Sequence, residues 1–275
     1  MKAVILAAGK GERLAPYTED RPKCMVEIGG RPLLFYTLQN LRRAKIRDIN
    51  IVTGYLREKI EFEGLQYFHN QRFAATNMVE SLFCAEAAMD DDLVVSYGDI
   101  VYEYGVLEKL LNDRSDIAVV VDDEWQRLWR LRSSNPLEGA ETLVFGKDSY
   151  LTEIGDRPTN PNQIESQYIG LLKFSRKGIQ TLKDTFHRIK SLPEESEVIR
   201  GRNKFQIYMT DILQVMIDNG EKIKGVRING GWIEIDTRPE YELFCRMQED
   251  GRLKVICDIE RIAREEETKQ GRPAS

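Results

Sequence analysis

The sequence has little histidine and few cysteines, and this scarcity excludes several kinds of site. Its 275 residues include two histidines, His69 and His187, which are too few for a histidine-based catalytic centre. The four cysteines are widely scattered and form no CxxC pair, so we expect reduced thiols rather than disulfides or a zinc site. A Ser–His or Cys–His nucleophile is therefore not expected either.

Long apolar runs and an excess of positive charge are also lacking. No run approaches the roughly 20 apolar residues that a membrane span needs, and the opening MKAVILAAGKGERL turns polar too early for a signal peptide. Lys and Arg number 40 against 45 Asp and Glu, a formal net charge of −5, which disfavours general nucleic-acid binding. We therefore expect a soluble cytoplasmic protein without nucleic-acid or membrane partners.

Strand-like and helix-like segments alternate through the first half of the chain. Strand patterns lie at 3–6, 48–53, 66–69, 93–96 and 117–121, and helical patterns at 32–41, 78–89 and 106–111. This alternation predicts an α/β fold, with a mostly parallel Rossmann-like sheet and helices on both faces. The looser pattern that follows has strands at 142–154, 167–174 and within 222–236 and helices at 176–190 and 208–218, and it predicts an added smaller β/α portion.

The chain shows no internal repeat, low-complexity block or linker. We therefore expect a single domain over residues 1–250, with halves at 1–122 and 123–250, followed by a C-terminal helix and tail over 251–275. The polar stretch 192–204 (LPEESEVIRGRNK) is expected to be a loop that could act as a mobile lid. The final ETKQGRPAS is expected to be frayed.

Small residues end the first predicted strand and continue into a glycine-rich loop: Leu6, Ala7, Ala8, Gly9 and Gly11. In such a loop backbone N–H groups can approach a ligand closely and form an anion-binding nest. Arg13 and Lys23 add two positive charges suited to a triphosphate and a leaving pyrophosphate. The plain alternative is a glycine turn with surface charges. The spacing matches neither GxGxxG, whose third glycine would fall at Leu14, nor a P-loop.

Two aspartates stand where apolar strand patterns end. Asp99 closes LVVSYGD and Asp236 closes WIEID. An acid at the carboxyl end of a parallel strand lies at the edge of the sheet where ligands bind. Mg²⁺ is usually held by one or two carboxylates plus substrate phosphates, so two converging aspartates suffice. A helix cap is the alternative for either one taken alone.

The segment from Leu6 to Leu33 resembles LAAGxGxRLxPxTxxxPKxxxxxxxxPL, the signature of the nucleotidyltransferases that make nucleotide-activated sugars and alcohols. That family transfers a nucleotide monophosphate from a nucleoside triphosphate to a phosphorylated acceptor and releases pyrophosphate. The resemblance implies a nucleotide-diphospho-sugar transferase type of fold, with a nucleotide-binding half at 1–122 and an acceptor-binding half at 123–250. It further implies that the glycine loop holds base and phosphates, that Arg13 and Lys23 act on the reacting phosphates, and that Asp99 and Asp236 bind Mg²⁺.

Asn77 and Ser81 resemble the NxxxS pattern of the phosphocholine cytidylyltransferase branch, which uses CTP. The resemblance implies that both side chains contact the base or ribose, whereas the plain alternative makes Asn77 an N-cap and Ser81 a surface residue. Further segments within 1–245 resemble bacterial relatives that act on phosphocholine, aminophosphonates or phosphoglutamine. We therefore expect a CTP-dependent cytidylyltransferase for a small phosphorylated or phosphonate acceptor, with the possibility of a homodimer left open.

Seven residues are expected to bind the acceptor: Trp125, Trp129, Arg130, Arg157, Tyr168, Trp232 and Glu234. Trp125 and Trp129 are four apart and share a helical face, where they could hold an ammonium group or form a core stripe. Arg157 stands in EIGDRP, where family members often carry a Lys that touches the acceptor phosphate, so the role of this position stays open.

Two alternative functions remain. One is a sugar-1-phosphate nucleotidyltransferase that uses UTP or dTTP, which the identity of the consumed acceptor would distinguish. The other is a non-catalytic nucleotide-sensing relative, and the presence of all four of the charged residues expected to act on phosphate or metal argues against it: Arg13, Lys23, Asp99 and Asp236.

Overall fold

The computed structural model describes residues 1–132, 135 and 137–267. Within them the central sheet has seven strands: β1 Lys2–Ala7, β2 Ile49–Thr53, β3 Leu65–His69, β4 Leu93–Tyr97, β5 Ile117–Asp122, β6 Gln167–Phe174 and β7 Lys224–Ile228. Their order across the sheet is β7-β5-β6-β4-β1-β2-β3. All neighbours run parallel except β6, which is antiparallel to β4 and β5. The predicted mostly parallel α/β sheet is confirmed.

Helices cover both faces of this sheet: α1 Leu33–Arg43, α2 Met78–Cys84, α3 Tyr104–Asn112, α4 Trp125–Arg132, α5 Arg176–Lys190, α6 Met209–Asp218, α7 Arg238–Glu249 and α8 Ile259–Glu267. Successive strand residues point to opposite faces. Ala3 and Ile5 of β1 therefore belong to the core beneath α1, α3, α7 and α8, while Val4 belongs to the core beneath α2, α5 and α6.

Four two-stranded sheets complete the strand structure: Glu27–Ile28 with Arg31–Pro32, Ile100–Tyr102 with Trp232–Glu234, Leu143–Phe145 with Leu151–Ile154, and Glu197–Ile199 with Arg202–Asn203. Short 3₁₀ turns lie at Glu12–Leu14, Lys23–Met25, Arg57–Lys59, Glu86–Ala88, Lys147–Ser149, Pro161–Gln163 and Leu253–Val255. In the described part of the chain no helix is both long and apolar enough to cross a bilayer.

The structure differs from the sequence-based expectations mainly in the second half. The strand expected over 142–154 is a hairpin, because Asp148 and Ser149 adopt positive φ values of 57° and 59° and reverse the chain. The stretch 192–204 contains a hairpin rather than an open loop, and the Arg200 side chain at its turn pairs with buried Asp211 at 2.9 Å. The last helix begins only at Ile259, after a separate 3₁₀ turn, and residues 268–275 of the expected tail lie outside the described residues.

Gly170 is a position in β6 where the fold depends on the absence of a side chain. Its φ is +83°, and a Cβ there would lie 2.6 Å from Cδ2 of the Tyr97 ring. Gly220, after α6, has a similar φ of +87°, but a Cβ at this position would have no other atom within 4 Å. Comparing the two positions therefore separates backbone strain from steric collision.

We expect Gly220→Ala to lower the free energy of unfolding by about 1 kcal/mol through backbone strain alone. Gly170→Ala should cost about 1–3 kcal/mol more, because the added methyl group must displace the Tyr97 ring. Urea unfolding of both variants measures the difference. Equal losses for the two variants would show that the collision with Tyr97 is relieved without cost.

Candidate active site

The glycine loop and the first strand-end acid meet because β1 and β4 are parallel neighbours, whose carboxyl ends reach the same edge of the sheet. Gly98 donates its N–H to the Leu6 carbonyl at 2.9 Å, and a Cβ on Gly98 would lie only 2.9 Å from that same oxygen. Gly11 has φ +71°, and a Cβ there would lie 3.0 Å from the Lys23 stem. Both glycines thus allow close backbone packing around Asp99 and Lys23.

The second strand-end acid arrives through a strand pair outside the main sheet. Ile100–Tyr102 pairs antiparallel with Trp232–Glu234, and Ile100 lies opposite Glu234. Asp99 precedes the first of these strands and Asp236 follows the second, so the pairing places the two aspartates at the same end. The Ile235 N–H, which donates to the Asp99 carbonyl at 3.3 Å, continues the pairing toward them.

Lys23 joins the two aspartates. Its Nζ lies 2.6 Å from Oδ2 of Asp99 and 2.8 Å from Oδ1 of Asp236, and its side chain is 12% exposed. Burial alone would lower the pKa of Lys23, but the two carboxylates outweigh burial and raise it above its usual value. Arg13 contacts the other oxygen of Asp236 while its own side chain stays 69% exposed. Burial would raise the pKa of Asp236, but Lys23 and Arg13 together hold it below its usual value.

A cavity of about 710 Å³ opens beside this cluster, with Arg13 and Asp236 in its wall. Most of its lining comes from the second half of the chain. Its aromatic and acidic residues, besides Asp236, are Tyr97 from the first half and Trp129, Glu138, Glu141, Tyr168, Tyr208, Trp232, Glu234 and Glu240 from the second. The volume is in the range of small-molecule sites. It can therefore accommodate a small organic molecule beside Arg13 and Asp236.

Arg132 is the second cation in the cavity wall, and two glutamates hold it. Its Nε lies 2.6 Å from Oε1 of Glu240, its Nη1 lies 3.0 Å from Oε2 of Glu234, and its guanidinium stacks 4.8 Å from the Trp129 ring centroid. Burial would lower the pKa of Arg132, but Glu234 and Glu240 outweigh it and raise the pKa. The guanidinium is therefore a fixed, charged part of the wall.

Glu240 also orients Asp236, a role that was not predicted from the sequence. Its Oε2 accepts the backbone N–H of Thr237 at 2.8 Å and that of Asp236 at 3.0 Å, which forms a capping box at the start of α7. The pattern Thr237-Arg-Pro-Glu240 is a recognisable capping-box signature, so this residue could have been found from the sequence. The ion pairs of Arg132 with Glu234 and Glu240 depend on tertiary packing, so no local sequence pattern indicates them.

The residues predicted to contact the nucleotide lie in two places, around the end of β1 and at the start of α2. Leu6 and Ala7 end β1, and Ala8 follows the strand and leads into the glycine loop. Asn77 is the N-cap of α2, where its Oδ1 accepts the Met78 N–H at 3.1 Å and its Nδ2 donates to the Gln206 carbonyl at 3.2 Å.

Ser81 is 6% exposed and accepts a hydrogen bond from Asn70 at 2.9 Å. It is not the surface residue that the plain alternative supposed, and its hydroxyl is engaged in packing between α2 and the chain after β3. Neither Asn77 nor Ser81 belongs to the cavity wall, in which Met78 is the residue from this segment.

Four of the predicted acceptor residues line the cavity: Trp129, Tyr168, Trp232 and Glu234. Three do not. Trp125 is 2% exposed and packs edge-to-face on Trp129 at 5.8 Å, so it is a core residue. Arg130 is exposed and donates a hydrogen bond to Gln126 at 3.0 Å on the outer side of α4. The arginine of this helix that lines the cavity is Arg132. Arg157 is exposed and outside the cavity wall, so its position gives no support to a contact with the acceptor.

Comparison with known proteins identifies the family. Residues 3–157 match the model of the MobA-like NTP transferase domain. The chain is 38% identical over 255 residues to the CTP:phosphoglutamine cytidylyltransferase of Campylobacter jejuni, which covers 88% of this chain and 98% of that protein. It is 30% identical over 208 residues to the CMP-5'-(3-aminopropyl)phosphonate synthase of Streptomyces rubellomurinus, covering 73% of this chain and 31% of that protein.

A solved structure supports the fold assignment. The CTP:phosphocholine cytidylyltransferase of Streptococcus pneumoniae superposes with a TM-score of 0.69 at 20% identity, covering 90% of this chain and 98% of that one. At this identity the likeness concerns the fold, and the expected nucleotide-diphospho-sugar transferase type is confirmed. The family match, the extent of the C. jejuni relative and the shared fold agree, and the chain belongs to the MobA-like NTP transferase family of nucleotidyltransferases.

Proposed function

We propose that the protein transfers CMP from CTP to a small phosphorylated or phosphonate acceptor and releases pyrophosphate. The observation that carries this proposal is the largely covered Lys23 side chain bridging Asp99 and Asp236 at 2.6 and 2.8 Å, beside a cavity large enough for a small acceptor. The names of the C. jejuni and Streptomyces relatives, which specify CTP and CMP, support the choice of nucleotide.

In the proposed reaction an oxygen of the acceptor phosphate attacks the α-phosphorus of CTP. The new P–O bond forms as the bond from the α-phosphorus to the bridging oxygen breaks, and pyrophosphate leaves with that electron pair. The reaction needs positioning and charge neutralisation rather than an enzyme nucleophile. Neither histidine lines the cavity: His69 contacts the Thr53 carbonyl, and His187 pairs with Glu86 on the outer side of α5.

Lys23 and Arg13 are suited to different parts of this reaction. Lys23 is fixed by two carboxylates and keeps its charge, so its ammonium can stabilise the charge that develops as pyrophosphate departs. Arg13 is mostly exposed at the mouth of the site, where its guanidinium can bind triphosphate oxygens already in the ground state.

Asp99 and Asp236 are the residues that would hold Mg²⁺. Oδ1 of Asp99 is buried without a hydrogen-bond partner in the described residues, which suits a metal ligand. No cluster of three or more metal-binding side chains occurs in that part of the chain, so phosphate oxygens would have to complete the coordination. When bound, Mg²⁺ would neutralise charge on the phosphates undergoing transfer.

We also propose that the two halves of the chain divide the work. The glycine loop, Arg13 and Lys23 come from residues 1–122 and would hold the nucleotide. The cavity wall comes largely from residues 123–250 and would hold the acceptor. The names of the relatives favour an acceptor with an amine or amino-acid head group, such as phosphoglutamine or an aminoalkyl phosphonate.

Pyrophosphate release tests the proposed function directly. The purified protein with Mg²⁺ is offered CTP, UTP or dTTP, each with phosphoglutamine, 2-aminoethylphosphonate, phosphocholine or glucose 1-phosphate, and products are identified by mass. We expect release with CTP and at least one of the first three acceptors. Efficient use of glucose 1-phosphate with UTP or dTTP, and of none of the other acceptors, would instead identify a sugar-nucleotide enzyme.

The metal assignment predicts that Asp99→Asn and Asp236→Asn each lower kcat by about 10³-fold or more, because the charge on the transferring phosphoryl group loses its counterion. Asp123→Asn is the matched control, since Asp123 pairs with Arg227 at 2.8 Å and does not line the cavity. Steady-state kinetics with Mg²⁺ and circular dichroism are measured for all three. Near wild-type turnover in Asp236→Asn would refute the assignment.

The roles of the two cations predict different kinetic effects. Lys23→Ala should lower kcat by about 10²–10³-fold with little change in CTP affinity, because its contact strengthens chiefly in the transition state. Arg13→Ala should both lower kcat and raise the KM for CTP. If Lys23→Ala raises only the KM, Lys23 is a binding residue.

A further inference from the structure

The charges in the cavity wall are unevenly compensated. Of its acidic residues, Glu234 and Glu240 pair with Arg132, Asp236 pairs with Lys23 and Arg13, and Glu138 is not without a partner either. Glu141 also lines the cavity, but it forms no ion pair with any residue the structure describes. A carboxylate in this position can be compensated by a cation that the ligand brings.

The backbone at Glu141 is held rigidly. The side chain of Gln167, the first residue of β6, accepts the Glu141 N–H at 3.2 Å and donates to the Glu141 carbonyl at 2.5 Å. Thr142 then pairs with Asp156 and Gly155 through backbone hydrogen bonds of 2.8 and 2.9 Å. The carboxylate is therefore presented from a fixed backbone, as a preorganised binding group requires.

A second polar group in the same wall lacks a well-formed hydrogen bond. The Tyr168 hydroxyl is buried and makes no hydrogen bond of standard geometry within the described residues, although its ring packs edge-to-face on Tyr97 at 5.9 Å. Burial is the main cause of the raised pKa values of both tyrosines, their interaction with each other comes next, and the charges of Glu141 and Asp99 raise both values further. The two tyrosines thus lie close enough to Glu141 and to Asp99 to interact electrostatically with both carboxylates.

We propose that Glu141, together with the Tyr168 hydroxyl, receives a primary ammonium group on the acceptor and so selects aminated phosphates or phosphonates. This inference rests on the proposed function and deepens it. Glu141 is a specificity-determining residue in this scheme and touches the head group rather than the reacting phosphate.

The wall favours a primary ammonium over a trimethylammonium group. A quaternary ammonium needs free aromatic faces, but Arg132 already stacks on Trp129, and Trp232 packs against the same ring with centroids 6.5 Å apart. A primary ammonium instead has three N–H donors and needs oxygen acceptors. The Glu141 carboxylate and the Tyr168 hydroxyl are such acceptors.

The protonation of Glu141 gives the proposal a pH signature. Burial raises its pKa to about 7, and the charges of Asp211 and Glu234 add to this, while Arg200 and a hydrogen bond from Thr210 oppose it. Asp211 is itself paired with Arg200 and Arg202, and Glu234 with Arg132. Before an ammonium binds, Glu141 is therefore mostly neutral below pH 7 and mostly charged above it, so the preference for an ammonium should weaken as the pH falls.

Binding of matched ligand pairs tests the proposal without requiring turnover. Aminoalkyl phosphonates of two, three and five carbons are compared by calorimetry with alkyl phosphonates in which a methyl group replaces the ammonium, with and without a non-hydrolysable CTP analogue. We expect wild type to prefer at least one aminated ligand by about 10- to 100-fold. The preference should fall by about 10-fold between pH 8 and pH 6, after each affinity is corrected for the separately measured ionisation of that ligand's own phosphonate group.

Glu141→Gln should remove both the preference and its pH dependence while leaving the affinity for the alkyl phosphonate unchanged. Tyr168→Phe removes only the hydroxyl and should reduce the preference for aminated ligands less than Glu141→Gln does. It keeps the proposal testable if Glu141→Gln fails to fold. Glu153→Gln is the matched control, because Glu153 lies in the hairpin that follows Glu141 in the chain but not in the cavity wall.

A preference that persists in Glu141→Gln, or is lost equally in Glu153→Gln, would overturn the proposal, as would its absence in wild type. Failure of the proposed function is distinguishable, because it appears as missing pyrophosphate release from CTP while the Glu141-dependent binding preference is retained.

Discussion

The ion pairs of Lys23 with Asp99 and Asp236 are the constraint on which the rest of the site depends. Two carboxylates at one end of a strand pair would repel each other, and burial would raise the pKa of Asp236, unless a cation lies beside them. The Lys23 ammonium at 2.6 and 2.8 Å provides that cation. Gly11 matters for the same reason, since its φ is +71° and a Cβ there, 3.0 Å from the Lys23 stem, would require that stem to shift.

The sheet and the cluster of Lys23, Asp99 and Asp236 could be predicted largely from the sequence, because their signals are local. Short apolar runs mark the buried parallel strands, and residues that directly follow such strands must lie at one edge of the sheet. Lys23 and Asp99 follow from this rule together with the motif. Asp236 depends in addition on the pairing of Ile100–Tyr102 with Trp232–Glu234, a short strand pair outside the main sheet.

The acceptor side of the site could be predicted only in part, because its residues are selected by packing between distant segments. Trp125 and Trp129 have the same helical spacing, yet only Trp129 reaches the cavity, since Trp125 is covered by the core. Of the two arginines, Arg132 reaches the cavity, whereas Arg130 lies on the exposed side of α4. The turn at Asp148 and Ser149, which divides the expected strand over 142–154, uses positive φ values that are uncommon for residues other than glycine.

The electrostatic balance of the wall links the two ends of the site. Glu240 accepts the backbone N–H of Asp236 and also pairs with Arg132, while Arg132 neutralises Glu234, two residues before Asp236. Lys23 and Arg13 are the larger causes of the lowered pKa of Asp236, and Arg132 adds to them while it pairs with Glu234 and Glu240. Because Arg132 is committed to these acids, it is a poor candidate to grip an acceptor carboxylate. The remaining unpaired charge of Glu141 therefore decides which acceptors the cavity favours.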